Sequence, residues 1–376
     1  MRSASCDQLP PRRGYERLES RSNRWTGKFA LRNGAGPCCV LVLLLAAMTL
    51  TGCRSPAPNA LLQRFEFKHP AMGTLFTITL YAPQRAQAEA AATEAFRRID
   101  QLEDIMSDYQ ADSELMRLCE QPVGVPVPVS ADLFQVFQRA QIISEISGGA
   151  FDVTVGPYVR LWRFARKRKV LPSAAELASA APAVGFKKLQ LDARAHTATL
   201  LRPNMRLDLG GIAKGYAADQ ALGVLRNRGI DRALVAASGD IAIGNPPPGQ
   251  QGWKIGIAAI DARTNEVTRT LLLRNAGVST SGDTEQFIEI NGVRYSHILN
   301  PATGLGLTNR IQATVIARDA TATDALATTV CVLGVQQGLA MIDSLPHTVT
   351  LVMTKQDGEK QAFVSRRFRT LPSQKN

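Results

Sequence analysis

The strands of this chain arrive in pairs around short turns, and that restricts the fold more than any other feature. The segment FIEINGVRYSHIL alternates on both sides of Asn291-Gly292, a dipeptide suited to a type I′ hairpin turn. Ala233–Ala237 and Ile241–Ile243 flank Ser238-Gly239-Asp240, Val349–Thr354 and Gln361–Val364 flank Gln356-Asp357-Gly358, and two short strands share Leu189–Leu201. Further strands are predicted at Leu75–Tyr81, Arg206–Leu209, Lys254–Ile260, Arg269–Arg274 and Gln312–Ala317, and helices at Ala86–Met106, Leu133–Ile146, Ile212–Arg226 and Asp324–Leu333. Strands joined by tight turns pair antiparallel, whereas parallel neighbours need long crossovers. The chain therefore reads as α+β, with mixed or antiparallel sheets and packed helices. A doubly wound dinucleotide fold is rejected, and neither Gly-x-Gly-x-x-Gly nor a Walker loop occurs in the right context.

The amino end reads as an address. CCVLVLLLAAMTL at residues 38–50 is preceded by Arg24, Lys28 and Arg32 and is too short to cross ~30 Å of hydrocarbon comfortably. A basic region, a short apolar core and a small-residue end make a secretory signal. The closing Leu50-Thr51-Gly52-Cys53 resembles a bacterial lipoprotein box, which implies cleavage before Cys53 and lipidation of its thiol. The competing reading is a short anchor that is never cleaved. The expected organisation is a signal peptide over 1–52, a tether over 53–64 around Ser55-Pro56-Ala57-Pro58, and one catalytic domain over 65–370. The expected location is the periplasmic face of a bacterial membrane, held by lipid. Of six cysteines only Cys119 and Cys331 remain beyond Cys53, which excludes a disulfide framework and a Cys-x-x-Cys metal site.

The formal charge of +12 is unevenly spread: residues 1–52 carry eight basic and three acidic side chains. The one dense run beyond them is Arg163 to Lys169, read as a solvated helix end or loop, with phosphate or anionic lipid as the alternative ligand. No nucleic-acid module accompanies it, so no nucleic-acid partner is expected.

Polar residues then gather in four segments: Met72-Gly73-Thr74, Ser107-Asp108-Tyr109 with Ser113-Glu114, Gly149 to Pro157, and Asp208 to Asp219. The last is the sharpest. A strand ends, Gly210-Gly211 follow, and a helix starts with Lys214 in its first turn. Bare N–H groups at a helix start attract phosphate, and glycine allows close approach. Further on, His297 precedes the turn Asn300-Pro301-Ala302-Thr303-Gly304, and Asp324 and Thr328 stand one helical turn apart. A carboxylate and a hydroxyl are hard oxygen ligands suited to Mg²⁺ with phosphate. The alternative for Asp324 is a helix cap.

Eight motifs occur in order between about Phe67 and Val352: Met-Gly-Thr, Ser-x-Tyr-x-x-x-Ser-Glu, Gly-Ala-Phe-Asp-x-Thr-x-Gly-Pro, Asp-Leu-Gly-Gly-Ile-Ala-Lys-Gly-Tyr-Ala-x-Asp, Ser-Gly-Asp, Ser-x-Ser-Gly-Asp, His-Ile-Leu-Asn-Pro-x-Thr-Gly and Thr-Asp-Ala-Leu-Ala-Thr. Together they resemble the FAD:protein FMN transferases, the ApbE family. The resemblance implies a compact α+β fold that takes FAD as substrate with Mg²⁺ on its pyrophosphate, moves FMN to a Ser or Thr hydroxyl of an acceptor protein, and releases AMP. It implies FAD contacts at Met72, Tyr109, Ala150, Phe151, Asp152, Asp208, Lys214, His297 and Ile298. It implies metal ligands at Gly211, Asp324, Ala327 and Thr328, with Gly211 offering its backbone carbonyl. Family partners include membrane redox-complex subunits that carry a flavinylation motif.

The acceptor hydroxyl needs a base or in-line polarisation. His297 is the first candidate and Asp283 the second. Two rivals stand beside the transferase: an FAD pyrophosphatase, with water replacing the hydroxyl, and a flavin-binding lipoprotein without turnover.

Overall fold

Met72 and Gly73 turn the first hairpin, both at positive φ (48° and 70°). They join β1 (Gln63–Ala71) to β2 (Thr74–Ala82) in unbroken antiparallel register from Ala71↔Thr74 to Gln63↔Ala82. In this computed structural model of the chain, residues 61–258, 260, 267–282, 287–356, 358–371 and 373–374 are described; the predicted signal peptide, Cys53 and Asp283 lie outside them.

After β2 come α1 (Arg85–Met106), α2 (Glu114–Cys119), β3 (Val127–Pro128), α3 (Ala131–Ile146), α4 (Gly156–Arg168) and α5 (Ala174–Ala180). Then follow β4 (Leu189–Asp192), β5 (Thr197–Leu200), α6 (Ala213–Asn227), β6 (Ala233–Ala237), β7 (Asp240–Ile243), β8 (Trp253–Ala258) and β9 (Val267–Leu273). The chain ends through β10 (Ala276–Gly282), β11 (Phe287–Ile290), β12 (Val293–Ser296), β13 (Arg310–Ala317), α7 (Ala320–Ser344), β14 (Val349–Gln356), β15 (Glu359–Val364) and β16 (Ser373–Gln374).

Eight strands form one sheet in the order β1-β2-β6-β7-β10-β13-β14-β15, and every pairing among the described residues is antiparallel. Side chains alternate across a strand, and two cores result. Ile311, Ala313 and Val315 of β13 join Phe76, Ile78 and Leu80 of β2 beneath α1, α6 and α7. Ile316, with Val349, Leu351 and Met353 of β14, faces the other way, onto the hairpin β8–β9 and Phe368. The sheet is thus covered on both faces, as a layered α+β domain requires.

The hairpins expected from sequence are present. Asn291 and Gly292 both adopt positive φ (52° and 74°), the I′ condition, between β11 and β12. Three points matter. Arg206–Leu209 joins no ladder; Asp208 N–H donates to the Val153 carbonyl (2.8 Å), so the segment lies against the loop before α4. The basic run, read as a helix end or a loop, closes helix α4, with Lys169 one residue past its last turn. Helix α7 starts at Ala320, four residues before Asp324, and breaks at Gly334 (φ 76°, ψ −177°), one residue past the expected end. At the domain edges, β1 begins at Gln63, within the expected tether, and β16 lies beyond residue 370.

Candidate active site

Met72, Tyr109, Ala150, Phe151, Asp152, Asp208, Gly211, Lys214, His297, Ile298, Asp324 and Thr328 all line one cleft of about 1120 Å³. Ala327 is wholly buried in the core of α7 and is not part of the lining. Residues as far apart in sequence as Met72 and Thr328 meet because the ends of β1–β2, α1, α6, β7, β10 and β12 open onto the same space.

The inner wall is the junction of α6 with α7. At Gly215 an added Cβ would collide with the Ala320 carbonyl, so the two helices approach to a distance only glycine allows. That approach lets the Gly215 N–H donate to Asp324 Oδ2 (3.0 Å). Lys214 Nζ lies 2.5 Å from Asp240 Oδ2 and 3.6 Å from Asp324 Oδ2. Asp319, not Asp324, caps α7, accepting from Ala322 N–H (2.8 Å), and Asp219 of α6 accepts the N–H groups of Ala320 and Thr321 (3.0 and 2.8 Å). With the cap assigned elsewhere, Asp324 lines the cleft held by the Gly215 N–H and Lys214, and Thr328 follows one turn later on the same lining. Thr328 Oγ1 is 3.2 Å from Ser281 Oγ of β10, and a Cβ built on Gly211 would lie 3.4 Å from Thr328 Oγ1.

Two buried carboxylates, Asp240 and Asp324, thus face a single ammonium. Burial and the Asp240 charge push Asp324 up to about 7, against the opposing pull of Lys214 and the Gly215 N–H. Lys214 sits nearer Asp240 than Asp324. Burial disfavours the ammonium, but Asp324 and Asp240 more than offset this and raise its pKa. Among the described residues no cluster of three His, Cys, Asp or Glu forms a metal cage. The donors here are hard oxygens with an excess of negative charge, a set that fits a divalent cation sharing its shell with phosphate.

The outer wall is organised by α4. Arg163 forms an ion pair with Asp108, lies 3.9 Å from Asp208 Oδ2, and stacks its guanidinium 3.9 Å from the centre of the Tyr109 ring. Tyr109 is otherwise 81% exposed, so its other face is open. Burial, then the neighbouring Asp108, raise Asp208 to about 6; the Gly210 N–H (2.8 Å) and Arg163 oppose the rise. Asp152 accepts from the N–H and hydroxyl of Thr154 (2.7 Å each), and burial raises its pKa. Trp162 Nε1 donates to the Gly304 carbonyl (2.7 Å), and Gly304 N–H to the Asn300 carbonyl (2.8 Å). This fixes the turn after His297, whose side chain is exposed at the cleft.

Asp240 and Arg163 were given no role from sequence. Both carried a signal: Asp240 closes the Ser-Gly-Asp motif, and Arg163 opens the basic run.

The ApbE family model matches residues 72–353. The FAD:protein FMN transferase of Vibrio cholerae is 30% identical over 85% of this chain and 95% of that protein. The enzyme of the same name from Salmonella typhimurium is 31% identical over 90% of this chain and 99% of that protein. Among solved structures, the flavin transferase ApbE of Vibrio cholerae superposes with a TM-score of 0.75 at 30% identity, covering 83% of this chain and all of that one. The ApbE protein of Thermotoga maritima gives 0.74 at 29% identity, covering 82% and 99%. The family match over residues 72–353, relatives about 30% identical across most of the chain and a shared fold place the chain in the ApbE family of flavin transferases.

Proposed function

We propose that this chain is an FAD:protein FMN transferase that acts on a Ser or Thr hydroxyl and needs Mg²⁺. The observation that carries the reading is the meeting of Lys214 at the start of α6 with the oxygen donors Asp324 and Thr328 on one cleft wall. A helix start with a lysine holds pyrophosphate, and a binder without turnover has no need of buried carboxylates beside it.

In the reaction the acceptor oxygen bonds to the phosphorus of the FMN half. The anhydride P–O bond to AMP breaks, AMP leaves as the phosphate, and the hydroxyl proton passes to a base. His297, exposed at the cleft beside a rigid turn, is the residue assigned to take that proton. Tyr109 offers its open face to a planar ring, and Lys214 meets the pyrophosphate. Asp324 and Thr328 by side chain, and Gly211 by its main-chain carbonyl, would hold the cation; Ala327, buried in the core away from the cleft, is not among them. The cation, when bound, supplies electrostatic stabilisation of charge on the anhydride oxygens. AMP leaves readily, so no strong general acid is required of the protein.

The reading includes export and lipidation at Cys53, with a membrane-bound redox subunit as acceptor. Incubation with FAD and Mg²⁺, with and without acceptor, tests the reaction. AMP only with acceptor supports the transferase; AMP with free FMN in its absence indicates a pyrophosphatase; no AMP indicates a binder.

A further inference from the structure

Beyond Arg163, the basic run has no part in the reaction above, yet it ends α4 at the rim of the cleft. Arg163 and Arg166 line the cleft, while Lys167, Arg168 and Lys169 are exposed outside the lining. Two apolar side chains stand exposed among them, Phe164 (45%) and Val170 (64%). Arg163 is paired with Asp108, but among the described residues no carboxylate forms an ion pair with Arg166, Lys167, Arg168 or Lys169. Lys169 closes the helix in the left-handed region (φ 52°, ψ 37°). Glycine holds that position without strain, and a lysine there does not.

Cations in a last helical turn favour the helix dipole. That accounts for a basic end, but not for the exposed phenylalanine and valine beside it or for its place at the cleft mouth. A hydroxyl carried by a protein reaches the cleft only if the polypeptide on either side of it lies across the rim. We propose that the end of α4 is where the acceptor protein docks, through an acidic segment flanking the reactive hydroxyl, with Phe164 and Val170 making the apolar contact. This rests on the transferase reading. Rim charges of this kind act on encounter and on salt dependence more than on the chemical step.

The test compares the full-length wild type with K167Q/R168Q/K169Q and K167E/R168E/K169E, none of which alters a residue lining the cleft. The probe is a detergent extract of the source cell's membranes, with transfer followed as flavin fluorescence in protein bands on denaturing gels. The expected result is a graded fall in initial rate at limiting extract, at least tenfold for the Glu variant at low salt. Wild type should slow as salt rises and the Glu variant should not. The Michaelis constant for FAD should stay within error for all three, and loss of the helix-end cations should lower the melting temperature by only a few degrees. Equal transfer by all three proteins overturns the proposal. If wild type labels no band, the transferase reading itself fails, and the docking with it. If the variants lose binding only to phosphatidylglycerol vesicles and transfer equally in the extract, the rim contacts lipid and the proposal is wrong.

Discussion

Replacing Asp324 by Asn separates a ligand from a structural carboxylate, and the structure sets the magnitude. Asp324 is 3% exposed, and burial with Asp240 raises it from 3.8 to about 7. That difference corresponds to on the order of 4 kcal/mol. The sign follows from linkage. The folded-state pKa lies above the unfolded one, so the buried acid favours the fold fully below pH about 4, and that advantage is lost as pH rises through about 7. Asp324→Asn keeps the shape and leaves Lys214 and Asp240 as a neutral pair. In EDTA the variant should match wild type near pH 4 and be the more stable at pH 8. Mg²⁺ should narrow that gap at pH 8. A ligand at a hundred times its dissociation constant stabilises by about 2.7 kcal/mol, and only wild type should gain it. Scanning calorimetry from pH 4 to 8, with EDTA and with Mg²⁺, reads both effects. AMP release should fall by roughly 10²–10³, the loss of one well-placed electrostatic contact. A variant less stable than wild type at pH 8 in EDTA, with normal AMP release at saturating Mg²⁺, would refute the reasoning and leave Asp324 as the anchor of Gly215.

Gly215→Ala drives a methyl group into the Ala320 carbonyl and Asp324 Cβ, and should cost about 1–3 kcal/mol of stability by denaturant titration, with weaker FAD binding. Arg163→Gln removes the charge between Asp108 and Asp208 and the backing of Tyr109. The Michaelis constant for FAD should rise several-fold with the turnover number nearly kept, and its break near pH 6, where Asp208 takes a proton, should move to higher pH; an unmoved break would assign the titration elsewhere. His297→Gln should bind FAD within a few-fold of wild type, by equilibrium titration, and transfer roughly 10²–10⁴ times more slowly; weak binding with a normal maximal rate would make His297 a binding residue. Cys53→Ser should release the protein from the membrane fraction, and firm retention would contradict the lipid anchor.

Much of this molecule was settled by the order of residues along the chain. The hairpin at Asn291-Gly292 was legible because only a few dipeptides accept two successive positive φ angles, and the antiparallel sheet followed from turns too short for a crossover. The cleft residues were legible as motifs, since Gly210-Gly211, Lys214, Asp324 and Thr328 are chemically unusual where they stand. What the sequence left open was decided by contacts between distant segments. Asp324 could equally have been a cap until Asp319 and Asp219 took the amino end of α7. Arg163 read as one cation in a solvated run, because nothing local reveals that Trp162 and Gly304 dock α4 against the His297 turn and bring Arg163 onto Tyr109. Arg206–Leu209 has the pattern of a strand but finds no partner strand, since its neighbour is the loop before α4. Local sequence fixes torsion angles and periodicity, which act over a few residues; burial, ion pairing and the pKa of a carboxylate depend on what arrives from a hundred residues away.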